Sequence, residues 1–222
     1  MKTSNYPPNT NNILIKDYSD LDGNEIPFIE FNPQKSKIEF EIILFHGASP
    51  YGEEHPSMIN LALALANCGI KIYIPRIPQL MKLEINKKSA ELIAHFYSFI
   101  KLKNPSKNIV PAGISFGGGL LMKAMFHDNL KEIMPKSILT YGTYYSLETS
   151  INFLISGKII HNGVEEFVKP NDWGLIVLFH NYLSAINVGK VKSDDELLRP
   201  SISKSKFSCF LERVFETSML LI

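Results

Sequence analysis

Hydrophobic residues follow two alternating spacings over the first 145 positions of the chain. Short continuous apolar runs, which a strand covered on both faces requires, alternate with stretches in which apolar residues recur every three or four positions, as on one face of a helix. The apolar runs predict strands at residues 26–31, 37–45, 70–74, 108–114 and 137–141. The helical spacing predicts helices at residues 58–66, 89–102 and 117–126. This order predicts an α/β fold with a mostly parallel sheet and helices on its faces.

The two ends of the chain lack this alternation. The amino-terminal residues are polar apart from residues 13–15, which predicts a loose arm with one edge strand. After Tyr145 only helical spacing is seen. It predicts helices at residues 147–155, 173–186, 194–198 and 207–221, with a loop between the first two. We therefore expect three segments, an N-terminal arm (1–24), an α/β core (25–146) and a helical segment (147–222).

Composition narrows the class of protein. The chain has 222 residues, of which 45% are hydrophobic, so it is not expected to be disordered. Its 23 basic and 22 acidic residues leave a net charge of +1, which does not indicate a nucleic-acid partner. The two cysteines, Cys68 and Cys209, are too far apart in the sequence to indicate a zinc site or a disulfide framework. Composition favours an ordinary globular domain.

Targeting signals are not evident. Residues 1–12 contain no apolar segment of the kind found in a secretory signal. The apolar run that comes nearest to a membrane-spanning segment is residues 174–179. It is far shorter than the roughly 20 residues of a spanning helix. We therefore expect a soluble, cytoplasmic protein without a membrane span, and no pattern indicates an oligomeric state.

The strongest chemical signal is a serine between two glycines. Residues 113–117 read Gly-Ile-Ser-Phe-Gly, which matches the pattern G-x-S-x-G, and they lie between a predicted strand and a predicted helix. A serine on such a tight turn adopts a strained backbone conformation, so Gly113 and Gly117 have to be small. The following helix directs unpaired N–H groups towards an anion that develops near Ser115.

A second signal lies at the end of an earlier strand. His46 and Gly47 directly follow the buried apolar run that ends at Phe45. A chain that leaves this strand can place a backbone N–H, from Ala48 or Ser49, beside the serine. Acyl transfer requires two such donors to the oxyanion, and the N–H that follows the serine supplies the other.

Together these segments resemble the α/β-hydrolase fold family. Residues 45–47, Phe-His-Gly, resemble its oxyanion loop, and residues 113–119 resemble its nucleophile elbow. The resemblance covers roughly residues 25–145, and residues 148–186 look like the helical cap that many such enzymes carry. It implies that Ser115 is the nucleophile and that the amides of Phe116 and Ala48 form the oxyanion hole. It further implies structural support from the residues of the two loops: His46, Gly47, Gly113 and Gly117. The family hydrolyses esters without a cofactor or a metal ion.

The glycine-rich turn is also compatible with chance and with phosphate binding. A five-residue G-x-S-x-G occurs by chance, and glycine-rich turns between a strand and a helix also bind phosphate. The spacing of residues 113–119 does not fit the G-x-G-x-x-G of dinucleotide-binding folds, and no lysine follows to complete a P-loop. The His46–Gly47 pair upstream favours the hydrolase interpretation.

The base and the acid that a serine nucleophile requires are not identified. In this family the order along the chain is Ser, then Asp or Glu, then His. The histidines after Ser115 are His127, His161 and His180. The pattern places His127 at a helix end and His161 in a solvated turn. His180 remains the one candidate base, with a packed core or lid-lining histidine as the alternative.

The missing partners of the serine leave three possibilities. The chain is a fragment of a longer hydrolase, which we favour, or a natural truncated homologue that binds acyl ligands without turnover, or a cap residue such as His180 replaces the usual base. We therefore predict a serine hydrolase that acts on a small carboxylic ester and has weak or no activity as this chain. The alternative is a non-catalytic protein of the same fold that binds a ligand or a partner.

Overall fold

A six-stranded sheet forms the centre of the first of two units. The structure, a computed structural model, describes residues 12–35 and 38–182. The chain divides into Met1–Tyr145 and Ser146–Ile222. The strands of the first unit are β1 (Ile13–Ser19), β2 (Glu25–Phe31), β3 (Phe40–Phe45), β4 (Lys71–Pro75), β5 (Asn108–Ile114) and β6 (Leu139–Tyr141). Their order across the sheet is β1-β2-β4-β3-β5-β6.

Four neighbouring strands of this sheet are parallel. Strands β4, β3, β5 and β6 run in the same direction, whereas β1 and β2 pair with each other antiparallel and β2 pairs antiparallel with β4. The predicted mostly parallel α/β sheet is therefore confirmed. In the register of β3 and β5, Phe45 lies opposite Gly113, so the carboxyl ends of these two strands meet at one edge of the sheet.

Helices connect the parallel strands, as the sequence pattern predicts. They are α1 (Pro56–Asn67), α2 (Pro78–Met81), α3 (Lys87–Lys103) and α4 (Phe116–Ala124), and the short α2 was not predicted. Helix α1 begins after His55, whose Nδ1 accepts a hydrogen bond from the N–H of Ser57 at 3.2 Å. The helix ends at Asn67, and Gly69 shortly after it has a φ of 94° and donates its N–H to the Ala66 carbonyl at 2.9 Å.

The two faces of the central strand β3 pack against different helices. Ile42 and Leu44 belong to a core cluster that also contains residues of α1 and of strands β2 and β4. On the other face, the ring of Phe45 contacts that of Phe96 in α3, with ring centroids 6.4 Å apart. Because successive side chains of a strand point to opposite faces, a continuous apolar run such as residues 42–45 fills both layers.

The sheet begins earlier than the sequence pattern predicts. The edge strand expected at residues 13–15 is present, but β1 extends to Ser19 and pairs with β2 along its whole length. Ile13 lies opposite Phe31 in this pairing. Residues 13–19 are therefore part of the central sheet rather than of a loose arm.

The second unit contains two helices and a hairpin. Its elements are α5 (Leu147–Ser156), β7 (Lys158–His161), β8 (Val164–Phe167) and α6 (Asp172–Tyr182). Strands β7 and β8 pair antiparallel around Asn162 and Gly163, which have φ angles of 51° and 79°. The prediction of a loop between two helices is therefore wrong here, because the hairpin is exposed and shows no alternation of apolar and polar residues.

Some sequence-based expectations fall outside the described part of the chain. The helices predicted at residues 194–198 and 207–221 lie there, as does the end of the helix predicted at 173–186, which is described as far as Tyr182. No helix within residues 12–35 and 38–182 combines the length and the apolar character needed to cross a membrane.

Candidate functional site

Ser115 occupies a strained turn between strand β5 and helix α4. Its backbone has a φ of 52° and a ψ of −127°, in the region that side chains other than glycine rarely adopt. Such conformations persist only where the surrounding structure holds them, and they cluster at functional sites. The strained serine predicted from the glycine pattern is therefore present.

Glycines allow the chain to pass this turn. A Cβ placed on Gly113 would lie 2.5 Å from the Cα of Gly118, so the strand and the first turn of α4 approach each other too closely for a side chain. A Cβ on Gly117 would collide with the backbone carbonyl oxygen of His46. The start of α4 therefore packs directly on the residue that follows β3.

The loop after β3 reaches the serine itself. A Cβ placed on Gly47 would lie 3.0 Å from the Cβ of Ser115 and 3.5 Å from its Oγ. On the other side of the turn, the N–H of Ser115 donates to the carbonyl of Tyr141 in β6 at 2.9 Å. The serine is thus held between the chain ends of β3 and β6, and the sequence-predicted residues His46, Gly47, Gly113 and Gly117 are brought together around it.

Backbone N–H groups near Ser115 differ in their availability. Phe116 is the first residue of α4, a position whose N–H has no partner within the helix. The positive end of the helix dipole adds to this donor. In the loop after β3, the N–H of Ser49 donates to the Leu80 carbonyl at 3.1 Å. The N–H of Ser49 is therefore engaged elsewhere, and Ala48, the residue after Gly47, is buried.

His46 is a buried, neutral histidine with both ring nitrogens occupied. Its Nε2 accepts a hydrogen bond from the N–H of Ile77 at 3.2 Å, so this nitrogen carries no proton. Its Nδ1 lies 2.7 Å from the carbonyl oxygen of Gly47 and therefore donates to it. Burial lowers the pKa of His46 to about 4, against the opposing effect of the hydrogen bond to Gly47. Neither ring nitrogen of His46 is therefore free to accept a proton from Ser115.

The other histidines of the first unit have partners away from the serine. His55 caps α1, His95 Nε2 lies 2.8 Å from the carbonyl oxygen of Ser19, and His127 Nδ1 lies 2.8 Å from Oδ1 of Asn129. His127 is exposed and lies just beyond the end of α4, which the structure places at Ala124. Among the described hydrogen bonds, the Ser115 hydroxyl makes none to an imidazole.

Two histidines belong to the second unit. His161 ends strand β7 at the exposed hairpin turn, as the prediction of a solvated turn residue requires. His180 lies on helix α6 and is exposed, so the alternative of a packed core histidine is wrong for it. Its role as the candidate base stays a prediction.

One ion pair at the same edge of the sheet was not predicted from the sequence. The Glu53 carboxylate, only 2% exposed, accepts from Arg76 through Nη2 at 2.5 Å and Nε at 2.8 Å. Arg76 directly follows β4, as His46 follows β3 and Ser115 follows β5. Because the carboxyl ends of parallel strands lie together, this shared position was the signal that could have revealed Arg76.

Metal-ligating residues do not gather at this edge. Within the described ranges, no three side chains of His, Cys, Asp or Glu are arranged to hold a metal ion. The chemistry that this part of the chain presents is a hydroxyl on a strained turn, the N–H of Phe116 at the start of α4, and an ion pair between the buried Glu53 and the partly exposed Arg76.

Comparisons with known proteins find similarity only among solved structures. No protein-family model matches the chain, and no curated protein matches it. An alpha-beta serine hydrolase homologue from Coxiella burnetii is 16% identical, with a TM-score of 0.46 over 57% of this chain and 61% of that one. A thermostable carboxyl esterase from Bacillus coagulans is 13% identical, with a TM-score of 0.48 over 76% and 64%. An acetyl xylan esterase from Paenibacillus sp. R4 is 18% identical, with a TM-score of 0.47 over 70% and 56%.

These similarities concern part of larger proteins. The chain spans between 56% and 64% of the length of the three solved structures. At such identities and TM-scores, the description of the fold depends on the chain's own strand order and on the turn at Ser115. The solved structures are named as a serine hydrolase homologue and as esterases, and the chain is similar to part of their fold.

Proposed function

We propose that this chain is a serine hydrolase of the α/β-hydrolase type that acts on a small carboxylic ester, with Ser115 as its nucleophile. The observation that carries the proposal is the φ of 52° at Ser115, on a turn between a parallel strand and a helix. Glycine would adopt this backbone conformation at a lower energetic cost than serine. We therefore attribute the serine at this position to the chemistry of its hydroxyl.

The proposed reaction begins with attack by Ser115 Oγ on the acyl carbon of the ester. A bond forms between Oγ and this carbon, and the carbonyl oxygen becomes an oxyanion. We assign the N–H of Phe116 as one donor to this oxyanion, because Phe116 is the first residue of α4 and lies at the positive end of the helix dipole. We assign the second donor to the amide of Ala48, next to the Gly47 contact with Ser115. The bond between this carbon and the alcohol oxygen then breaks, and the alcohol oxygen takes up the proton that the base received from Ser115. Water next attacks the acyl-enzyme, which releases the carboxylic acid and restores the Ser115 hydroxyl.

The serine proton requires an acceptor, and His46 does not provide it. Both ring nitrogens of His46 are engaged, and its low pKa makes it a poor base at neutral pH. His180 remains the candidate base, with no acid assigned. We therefore expect acylation by activated esters to be detectable and complete turnover by this chain to be slow.

A second candidate function is a non-catalytic protein of the same fold that binds a ligand or a partner. It is favoured by one observation, namely that none of the four histidines in the described part of the first unit is hydrogen-bonded to Ser115. In this case the hydroxyl of Ser115 would not contribute to ligand affinity, and no acyl-enzyme would form.

Acetylation by p-nitrophenyl acetate separates the two candidates. The p-nitrophenolate group leaves without needing a proton, so its release reports on the nucleophile and the oxyanion donors. We expect an initial release of about one p-nitrophenolate per chain, which is absent in Ser115→Ala. Ser98→Ala is the matched control, since this serine donates to the Ala94 carbonyl on α3 at 3.0 Å. Equal release from the wild type and Ser115→Ala would overturn the proposal.

A further inference from the structure

We infer that the Glu53–Arg76 ion pair is a positioning element that holds the loop at residues 46–49 against Ser115. The two residues do not contact the serine, and they act through the backbone of this loop. The effect on reactivity rests on the proposed function of Ser115, whereas the effect on the loop can be measured without it.

The loop after β3 is tied to the chain after β4 by three links. Nε2 of His46 accepts from the N–H of Ile77 at 3.2 Å. The N–H of Ser49 donates to the Leu80 carbonyl at 3.1 Å. The Arg76 guanidinium bonds to Glu53 at 2.5 Å and 2.8 Å, further along the same loop. The chain from His46 to Glu53, which includes the loop at residues 46–49, is therefore linked at three points to one short stretch, residues 76–80.

Of these three links, the Glu53–Arg76 pair is the one between charged groups. The backbone of Arg76 is also hydrogen-bonded to the sheet. The N–H of Arg76 donates to the Pro27 carbonyl at 3.0 Å, and its own carbonyl accepts from the Tyr18 hydroxyl at 3.3 Å. Its backbone is thus anchored on strands β1 and β2. The hydrogen bonds of the guanidinium to Glu53 therefore restrain Glu53, and with it the loop, relative to these strands.

The buried carboxylate of Glu53 is hydrogen-bonded through only one of its two oxygens. Both contacts with Arg76 go to Oε1, and Oε2 has no hydrogen-bond partner among the described residues. A buried charge with an unpaired oxygen costs stability, so a well-packed apolar pair would serve the fold as well. We attribute the ion pair to its position, because it links the chain after β3 to the chain after β4.

A buried glutamate elsewhere in the sheet provides the contrast. Glu30 on β2 is also buried, but its two oxygens each meet a lysine, at 2.9 Å from Lys16 and 3.1 Å from Lys71. Glu30 lies in a strand and makes no described contact with the loop at residues 46–49. Glu30→Gln is therefore a matched control for Glu53→Gln, because the chemical change is the same and both carboxylates are buried.

A loop that carries an oxyanion donor has to be held within about half an ångström of its productive position. A Cβ placed on Gly47 would lie 3.5 Å from Oγ of Ser115, so a small displacement of the loop changes the space around the hydroxyl. Loss of the ion pair should therefore slow the chemical step at Ser115 and leave ligand binding unchanged. A role in stability alone would not produce this separation.

The first experiment measures labelling of Ser115 by an alkyl fluorophosphonate in Glu53→Gln and in the double variant Glu53→Gln/Arg76→Met, which leaves no lone charge. In this reaction Ser115 Oγ forms a bond to phosphorus, fluoride leaves, and the serine proton goes to a base or to the solvent. We expect the maximal labelling rate to fall about tenfold in both variants while the half-saturating concentration stays constant. Arg76→Lys should recover part of the rate, and Glu30→Gln should match the wild type. An unchanged maximal rate in both Glu53 variants would overturn the inference.

The second experiment is independent of any reactivity. Amide hydrogen exchange is measured for peptides that cover residues 46–49 and, as a reference, the strand around Tyr141 on the other side of the serine. We expect faster exchange at residues 46–49 in the Glu53 variants and no change around Tyr141. If the wild type is not labelled, the proposed function fails and this result still decides the inference. Unchanged exchange at residues 46–49 in the folded variants would contradict it.

Discussion

The backbone N–H of Ile77 donates a hydrogen bond to Nε2 of His46 at 3.2 Å, which requires this buried imidazole to be neutral. Protonation of Nε2 would break this hydrogen bond, which ties the loop beside Ser115 to the chain after β4. Burial lowers the pKa of His46 to about 4, below the ordinary value of 6.5.

The free energy of unfolding should fall as the pH is lowered from 6.5 to 4. Between these values the unfolded chain binds a proton at His46 and the folded chain does not, so stability rises with pH in this window. The contribution is fully present above pH 6.5 and is lost by about pH 4, and it amounts to about 3 kcal/mol for the shift from 6.5 to about 4. Urea unfolding at several pH values measures it.

His46→Gln serves as the reference for this prediction. Its amide oxygen offers an acceptor to the N–H of Ile77 but does not titrate. We expect a shallower pH dependence in this variant between pH 4 and 6.5. Parallel curves for the wild type and the variant would show that His46 is not the titrating group.

Replacement of Ser115 by glycine should stabilise the protein relative to replacement by alanine. Both changes remove the hydroxyl, but only glycine adopts a φ of 52° without strain. We expect Ser115→Gly to exceed Ser115→Ala by about 1 kcal/mol or more in the free energy of unfolding. Equal denaturation midpoints for the two variants would argue against strain at this turn.

Gly117→Ala should be strongly destabilising. The added Cβ would meet the carbonyl oxygen of His46, a backbone atom that β3 holds in place. We expect a loss of about 2–3 kcal/mol. Gly23→Ala is the comparison, because its Cβ has nothing within 4 Å and only the φ of 82° opposes it, at a cost of about 1 kcal/mol. The prediction fails if urea unfolding gives the two variants equal losses.

Gly47→Ala should lower the reactivity of Ser115 more than it lowers stability. Its Cβ would lie 3.0 Å from the Cβ of Ser115 and 3.1 Å from the Ile114 carbonyl oxygen, so the loop has to move away from the serine by a few tenths of an ångström. We expect about a tenfold slower reaction with a fluorophosphonate. Gly142→Ala has open space around its Cβ but a φ of 59°, so it should lose stability through backbone strain and still react at close to the wild-type rate.

Local patterns in the sequence were sufficient for the sheet and the serine turn. The run at residues 42–45 is apolar throughout because both faces of β3 are covered, and this is visible without any knowledge of its neighbours. The turn at Ser115 could be predicted because its glycines are required by contacts within a few residues, such as that of Gly113 with Gly118.

Features that depend on distant residues could not be predicted in the same way. The neutral state of His46 follows from its contact with Ile77, 31 positions away, and the buried carboxylate of Glu53 is paired with Arg76, 23 positions away. The hairpin around Asn162 and Gly163 was missed for a different reason. Its strands are exposed and carry no periodic apolar pattern, although Asn-Gly is the strongest short signal for a two-residue turn.

The central claim is that Ser115 is a nucleophile, and covalent labelling tests it most directly. The wild-type chain is treated with an alkyl fluorophosphonate, and the modified residue is located by mass spectrometry after proteolysis. We predict one adduct, on the peptide that contains Ser115, its absence in Ser115→Ala and its retention in Ser98→Ala. Equal labelling of the wild type and Ser115→Ala, or no adduct on the Ser115 peptide, would contradict this claim.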